Sequence, residues 1–309
     1  MFHTTPGNSL DAASGSPDAP LHQLGASAPR RVDGLLSLNF RSDGITTRLD
    51  VRAQQPPLQV VRAFPNGNAT LVHLQNVSGG VLGGDTLTTQ IDVGACANAQ
   101  VTTTGATRLY RSRDGAADSL QRTHATVGDG ALLEWLPDPI IPFAGSRSRI
   151  ETSIELGDDC GLFWWEVVAP GRVAHEELFA YDLLDVQFDI RATGVPIAME
   201  HYRIEPAARS LASQVRMGPY RYLTTFYICR TGQAPTIWLA LEEELRGIVM
   251  AHSRQHREFW GASTLSAHGI VVKGLSNSAL RVNEALFAIW NAAKLRLYGT
   301  EAVAPRKVP

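Results

Sequence analysis

The chain has 309 residues, of which 44% are hydrophobic and 19% are charged, and its formal net charge at pH 7 is −2. This length is enough for one or two domains with a substantial hydrophobic core. The balanced charge lacks the basic surface that a nucleic acid backbone requires, so no nucleic acid partner is expected. The 27 glycines are a slightly larger share of the chain than the usual value of about 7%.

Cysteine use and hydropathy exclude further classes of protein. Cys96, Cys160 and Cys229 are far apart in sequence and form no CxxC pair, which argues against a zinc ribbon or a disulfide-stapled secreted domain. No uninterrupted apolar run of the sequence approaches the ~18 residues of a membrane helix. We therefore expect a cytoplasmic protein that has no membrane partner.

The sequence divides into a tail and one domain. Residues 1–31 are rich in Ala, Ser, Gly and Pro and have no apolar period, which predicts a disordered tail. Residues 32–309 are expected to form a single domain. Within it, a β body covers about 32–230 and a helical C-terminal part covers about 236–299.

The β body is predicted from short runs in which apolar and polar residues alternate, separated by turn signals. For example, Leu87, Thr89 and Ile91 are expected on one face of a strand, as in strands with one buried face. Trp164 and Trp165 are predicted to fill the core.

Two helices and a short strand are predicted after the β body. The first helix is expected at about 236–257, and a strand is expected near 269–275. The second helix carries apolar residues at helical spacing from Val282 to Leu297 and ends at Gly299.

The densest glycine cluster is the string SGGVLGGD at 78–85. A phosphate-binding loop must open a helix, whereas the residues that follow predict a strand. In one interpretation the cluster is a bend in which Asp85 hydrogen-bonds its own backbone. In the other, the missing side chains leave room for a cation or a partner to approach Asp85 as a ligand or gate.

Two groups of histidines are further candidates for metal binding. His252 and His256 are four residues apart and would share one face of the first predicted helix, a spacing that can chelate a metal. The alternative is a pair of surface histidines. If the segment around His175 is a strand, His175 and Glu177 share one side of it, and the alternative is a solvated acidic edge.

Five motifs in a fixed order carry a resemblance to a known family. They are HLQNVSGGVLGGDTL at 73–87, VTTTGATRLYRS at 101–112, LLEWLPDPIIPF at 132–143, WWEVVAPGRVAHEELF at 164–179 and GVPIAMEHYRI at 194–204. Followed by a helical C-terminus, this series resembles the urease accessory protein UreD family, called UreH in some organisms. The resemblance covers nearly the whole chain from about residue 32 onward.

The resemblance implies a mainly β fold, a β-helix-like stack of sheets built from many short strands, with two C-terminal α-helices. It also implies a non-enzymatic scaffold and nickel conduit. Such a protein binds apo-urease together with UreF and the GTPase UreG, and helps to insert nickel into the urease active site. No permanently bound cofactor is expected, and Ni²⁺ would be held only transiently.

A conduit must release its ion, so a closed cage of imidazole and thiolate ligands would bind nickel too strongly. Scattered carboxylates would serve as weak and exchangeable ligands. Many members of the family have glycine where this chain has Glu176, so only the following glutamate matches. The candidate nickel path consists of Asp85, Glu134, Glu166, Glu177 and His175.

The resemblance also leads us to expect partner contacts at Tyr110 and Arg111, and at Trp290 and Tyr298 of the last helix. Two alternative functions stay open. One is a pure protein-interaction scaffold without passage of metal. The other is a metal-dependent hydrolase with an active site around Asp85, His175 and Glu177, which requires titratable groups that converge in a pocket.

Overall fold

The computed structural model describes residues 31–305. The predicted tail lies outside the described residues, apart from Arg31. The helices are α1 (Pro235–His252) and α2 (Ala279–Tyr298), and Val173–His175 forms a 3₁₀ turn. The strands are β1 (Asp33–Ser42), β2 (Thr47–Gln55), β3 (Leu58–Gln59), β4 (Ala63–Asn66), β5 (Ala69–Asn76), β6 (Thr86–Val93), β7 (Asn98–Thr103), β8 (Thr107–Leu109), β9 (Ser119–Val127), β10 (Leu132–Trp135), β11 (Ile140–Pro142), β12 (Arg147–Leu156), β13 (Gly161–Val168), β14 (Leu183–Ala192), β15 (Val195–Ile204), β16 (Tyr222–Arg230), β17 (Glu258–Thr264) and β18 (Gly269–Ser276).

The strands form two sheets. Sheet 1 has the order β15-β14-β12-β9-β6-β1-β2, and sheet 2 has the main order β17-β18-β16-β13-β10-β7-β5-β3, with β4, β8 and β11 at its margins. From β5 to β14 the chain passes back and forth between the sheets. The strands of successive passes pair in parallel, β6 with β9 and β12 with β14 in sheet 1, and β7 with β10 and β10 with β13 in sheet 2. This coil of stacked sheets confirms the predicted β-helix-like fold.

Short glycine turns stack at one end of the coil. The N–H of Gly128 donates to the carbonyl of Val93, and the N–H of Gly157 donates to the carbonyl of Val127, both at 2.8 Å. A Cβ atom on Gly128 would lie 3.0 Å from the nitrogen of Ala95 in the turn beneath. Longer loops connect the strands at the opposite end, where most of the sequence motifs lie.

The central strands of sheet 2 are buried on both faces because sheet 1 covers one face and the helices cover the other. Along β13, Leu162 and Trp164 belong to the core between the sheets, and Phe163 belongs to the core beneath the helices. Trp164 is buried, and Trp165 packs against the helix-side core. The predicted core role of both tryptophans is therefore confirmed.

The helices agree with the sequence in number but not in every boundary. The prediction that the first helix extends to about residue 257 is wrong, because α1 ends at His252. The Ser253 hydroxyl donates to the carbonyl of Val249 and accepts the Trp260 N–H of β17. The left-handed residue that ends α2 is Gly299, as predicted. Within residues 31–305, neither helix is long and apolar enough to cross a membrane.

Candidate functional site

A row of threonines crosses sheet 1 on the face that points toward sheet 2. Thr89, Thr123 and Thr152 occupy one register position on β6, β9 and β12. The inward rows on either side are mostly apolar and belong to two separate hydrophobic clusters. One row contains Ile91, Ala125, Ile154 and Ile190, and the other contains Leu87, Ile150 and Val186.

Polar residues of sheet 2 face this row. Glu166 of β13 is in register with Thr225 of β16, which is in register with Lys273 of β18. In sheet 1 the threonine row continues through Phe188 to Glu200 at the edge strand β15. We call the whole set the polar belt, which consists of Thr89, Thr103, Thr123, Thr152, Glu166, Glu200, Thr225 and Lys273.

A cavity of about 270 Å³ occupies one end of the polar belt. Thr89, Thr103 and Thr123 line it, together with Gln121 and Trp135. Three leucines and the two arginines Arg108 and Arg122 also line it, so its wall combines hydroxyl and amide groups with apolar and cationic side chains. The hydroxyl and amide groups offer weak oxygen ligands, and the lining contains neither imidazole nor thiolate.

A chain of aromatic rings leads from this cavity to the acidic end of the belt. Trp135 stacks on Trp164 with ring centroids 4.6 Å apart, and Trp164 packs on Phe188 at 5.9 Å. Phe188 stacks on Tyr227 at 4.6 Å, and the Tyr227 hydroxyl donates to Glu200 Oε2 at 2.7 Å. The rings pack alongside the belt, and Phe188 stands in its sheet 1 row between Thr152 and Glu200.

Three charged residues meet at the acidic end. The Lys273 ammonium pairs with both carboxylate oxygens of Glu200 and donates to the Thr225 hydroxyl at 2.9 Å. Burial, together with the nearby charge of Glu200, raises the pKa of Glu166 from 4.5 to about 7. Glu166 therefore exchanges its proton near neutral pH.

Asp85 is held by backbone groups. It is 3% exposed, its Oδ2 accepts the Leu82 N–H at 2.9 Å, and its Oδ1 accepts the Val32 N–H at 3.4 Å. This is the geometry of the first interpretation of the glycine cluster, in which the carboxylate holds a bend. A role for Asp85 as a metal ligand stays a prediction.

The glycine cluster packs against Tyr110, which was predicted to bind a partner. A Cβ atom on Gly80 would lie 2.7 Å from the Arg108 carbonyl oxygen and would overlap the Tyr110 ring. The ring packs edge-on against Phe143 at 5.1 Å and is half-buried, whereas Arg111 is exposed. Arg111 can therefore contact a partner, while much of Tyr110 serves internal packing.

The segment around Glu177 is not a strand. The prediction that His175 and Glu177 share one side of a strand is therefore wrong. His175 ends the 3₁₀ turn and is exposed, and Glu176 has φ of 60°. Glycine adopts this left-handed conformation freely, whereas it is uncommon for a residue with a side chain such as Glu176. Glu177 pairs with Arg172, which lowers its pKa, and accepts the Ala144 N–H at 3.2 Å.

Glu134 lies on the helix side of sheet 2, so the sheet separates it from the polar belt. It is fully buried, and its carboxylate accepts hydrogen bonds from Trp290 Nε1 and Gln100 Nε2, each at 3.0 Å. The Lys294 ammonium lies 2.8 Å from Glu134 Oε1. The structure therefore does not bring Glu134 and Glu166 into one path.

Trp290 and Tyr298 hold α2 against sheet 2. Trp290 is 0% exposed, and a side chain without exposed surface cannot contact a partner, so its predicted contact role is corrected to packing. The half-buried Tyr298 packs on Phe163, with the Arg230 guanidinium 4.6 Å above its ring.

The two histidines near the end of α1 do not share a helix face, so that prediction is also wrong. His252 is the last residue of α1, whereas His256 lies in a turn with φ of 60°. Within residues 31–305, no three His, Cys, Asp or Glu side chains come close enough to hold a metal ion.

Glu166 is the one residue of the polar belt that the sequence predicts as a site residue. A usable signal was present, because Thr89 and Thr152 each stand between two apolar residues on a face predicted to be buried. A threonine at such a position in several strands indicates a polar layer inside the core. Glu200 and Lys273 carry no such local signal.

Comparison with known proteins gives a consistent result. Residues 32–309 match the family model described as UreD urease accessory protein. A protein of Herpetosiphon aurantiacus named urease accessory protein UreD is 46% identical over 90% of this chain and 97% of its own length. The protein of that name from Dechloromonas aromatica is 33% identical, over 88% and 92% respectively. The chain belongs to the UreD family of urease accessory proteins.

Proposed function

We propose that this protein is a urease maturation factor that binds apo-urease with a UreF-like protein and a UreG-like GTPase and passes nickel toward the urease active site. The observation that carries the proposal is the polar belt, which crosses the interior between two hydrophobic clusters. Buried polar groups are costly unless they are paired or functional. Three neighbouring strands of sheet 1 carry threonines at this level, and beyond Phe188 the same row ends at Glu200. This recurrence of polar side chains inside the protein suggests a use.

The side chains of the belt are weak ligands, as is required for a cation that is bound only transiently. Hydroxyl oxygens of Thr89, Thr123 and Thr152 bind a borderline metal such as nickel more weakly than imidazole or thiolate does. Glu166 carries a negative charge only when it is deprotonated, and its pKa of about 7 allows it to gain and lose a proton as a cation arrives and leaves. We propose that Glu166 is the strongest transient ligand of the path.

Two observations disfavour the hydrolase alternative. The Asp85 carboxylate is engaged by backbone N–H groups, and the Glu177 carboxylate by Arg172 and Ala144. Neither is free to act as a general base. The relatives are named as accessory proteins, which supports a role without turnover.

A stripe on the outer face of α2 is our proposed contact for the UreF-like partner. Leu280, Phe287 and Leu295 are 66%, 45% and 43% exposed and recur at seven- and eight-residue spacing along one side of the helix, with the polar residues Glu284 and Asn291 between them. Exposed apolar stripes mark interaction surfaces. This stripe replaces Trp290 in the predicted contact at the C-terminal helix.

We also propose that the protein works in the cytoplasm. Cys96, Cys160 and Cys229 are all unpaired, which suits a reducing compartment.

The test of metal passage uses two neighbouring residues on β9. Thr123→Phe fills the cavity of the polar belt, whereas His124→Phe places the same ring on the exposed outer face of sheet 1. Each variant is expressed with the urease subunits and the other accessory proteins, and the nickel content of the purified urease is measured. We expect a loss of nickel only with Thr123→Phe.

The same pair of variants tests the alternative of a scaffold without metal passage. Co-purification of each variant with the partners shows whether the complex still assembles. If Thr123→Phe assembles normally and delivers as much nickel as His124→Phe, the scaffold alternative replaces the conduit.

A further inference from the structure

The two sheets end at different places on the acidic side of the polar belt. Sheet 1 ends at β15, whereas sheet 2 continues past β16 to β18 and β17. The inward face of this overhang carries a groove of about 470 Å³, lined by apolar residues such as Phe259, Val271 and Leu275 and by two charged residues, Lys273 and Arg216. Of these two, Lys273 is the one that pairs with Glu200 of the belt. Phe259 is 60% exposed. The polar belt therefore reaches the protein surface at this groove, which we call the β18 mouth.

Lys273 stands in the β18 mouth. It lines the groove, and its ammonium bonds to Glu200 and to the Thr225 hydroxyl. The Lys273 side chain is 43% exposed and that of Glu200 is 25% exposed, whereas Thr225 is only 8% exposed. The ion pair thus lies between solvent and the buried part of the belt.

We propose that Lys273 is an electrostatic plug that closes the β18 mouth to cations while it is paired with Glu200. The ammonium neutralises the carboxylate that would otherwise attract a cation. It also places a positive charge in the opening, where a cation would have to approach it at short range in a partly buried site. While this mouth is closed, the cavity at the other end of the belt remains as a route for the cation.

Lysine suits such a plug because its charge is compact and its stem is flexible. The ammonium can leave Glu200 by rotation of the stem, without a change in the backbone of β18. The Tyr227 hydroxyl also donates to Glu200, so the carboxylate stays in place when the ammonium leaves. The mouth can therefore open and close while the belt keeps its shape.

The assignment of Lys273 as a plug rests on the proposed passage of a cation through the polar belt. It is nevertheless tested without nickel or urease, because the plug controls access to a buried position. Thr225→Cys places a thiol directly behind Lys273, in a full-length chain that also carries Cys96→Ser to remove the exposed cysteine. The buried Cys160 has a pKa raised to about 11 by burial, which keeps its background reaction slow.

The experiment measures how fast this thiol reacts with two small methanethiosulfonates, one cationic and one neutral. Adding Lys273→Met is expected to accelerate the cationic reagent several-fold more than the neutral one. Lys273→Arg keeps the charge and should keep the cationic reaction slow. Arg203→Met, which removes a charge from the outer face of β15, is the matched control and should change neither rate.

An equal rise for both reagents with Lys273→Met would overturn the electrostatic plug, and so would two unchanged rates. Thermal unfolding of each variant confirms that the fold is kept. If the plug fails while Thr123→Phe still lowers nickel delivery, the proposed function stands without it. If nickel delivery is unaffected by Thr123→Phe but the reaction rates of the two reagents change as expected, Lys273 controls access to the β18 mouth. In that case nickel does not pass through the polar belt.

Discussion

The Lys294 ammonium lies 2.8 Å from Glu134 Oε1 between α2 and sheet 2, with side-chain exposures of 5% and 1%. Removing one partner of such a pair leaves an uncompensated buried charge, which costs about 3–5 kcal/mol. We therefore predict that Lys294→Met lowers the free energy of unfolding in urea by about this amount.

The double variant Glu134→Leu with Lys294→Met removes both charges and should recover much of that loss. The exposed pair Arg281 and Glu284 is the control, because Arg281→Met should cost less than about 1 kcal/mol. A Lys294→Met protein as stable as the wild type would show that the pair contributes nothing to the attachment of α2.

Gly80 is predicted to be intolerant of even one added methyl group. Alanine there would overlap the Tyr110 ring and the Arg108 carbonyl, and overpacking of this kind costs about 1–3 kcal/mol. Gly105 has open space around its Cβ position and no positive φ, so Gly105→Ala should be nearly neutral. Equal melting temperatures for the two alanine variants would contradict this account of the glycine cluster.

The raised pKa of Glu166 predicts a pH dependence of stability. The carboxyl titrates near 4.5 when unfolded and near 7 when folded, so the native state binds more protons between these values. The stabilising contribution of this group is complete below about pH 4.5 and is lost as the pH rises to about 7. It amounts to at most about 3 kcal/mol.

Glu166→Gln removes this titration, so its free energy of unfolding should fall less than that of the wild type between pH 4.5 and 7. Urea unfolding at several pH values measures the difference. Glu151→Gln on the outer face of sheet 1 is the control for the loss of a carboxylate. Its free energy of unfolding should change with pH as that of the wild type does. Parallel curves for wild type and Glu166→Gln would show that Glu166 is not perturbed.

Phe287 and Trp290 are neighbours on α2 with opposite predicted roles. Trp290→Ala should lower the free energy of unfolding by about 3–5 kcal/mol because its ring is fully buried. Phe287→Ser should lower stability less than this, because the ring is 45% exposed and contacts Trp290 only edge-on at 6.0 Å, and it should weaken binding of the UreF-like partner. Unchanged binding by Phe287→Ser in a pull-down would exclude the stripe on α2 as the contact.

The strands and helices could be predicted because they depend on local periodicity. The alternation of Leu87, Thr89 and Ile91 and the stop at Gly299 are both local. The end of α1 depends instead on the bond between Ser253 and Trp260, which forms only once β17 has packed against the helix. The spacing of apolar residues along the helix therefore does not predict where α1 ends.

The candidate site was less predictable for the same reason. Glu166 and Glu200 each stand in a recognisable motif, but the motifs do not show that Glu200 and Lys273 lie near Glu166. That proximity depends on the register of β15 and β18. Motif membership also placed Glu134 in the nickel path, because a motif does not show which face of a sheet a residue occupies. Alternation along β10 and β13 puts the two glutamates on opposite faces.

Passage of nickel through the polar belt is decided by the nickel content of urease matured at limiting nickel with Thr123→Phe. We expect urease that is assembled with its accessory proteins but poor in nickel, while His124→Phe yields urease loaded as fully as with the wild type. Full loading by a stably folded Thr123→Phe protein would contradict passage of nickel through the polar belt.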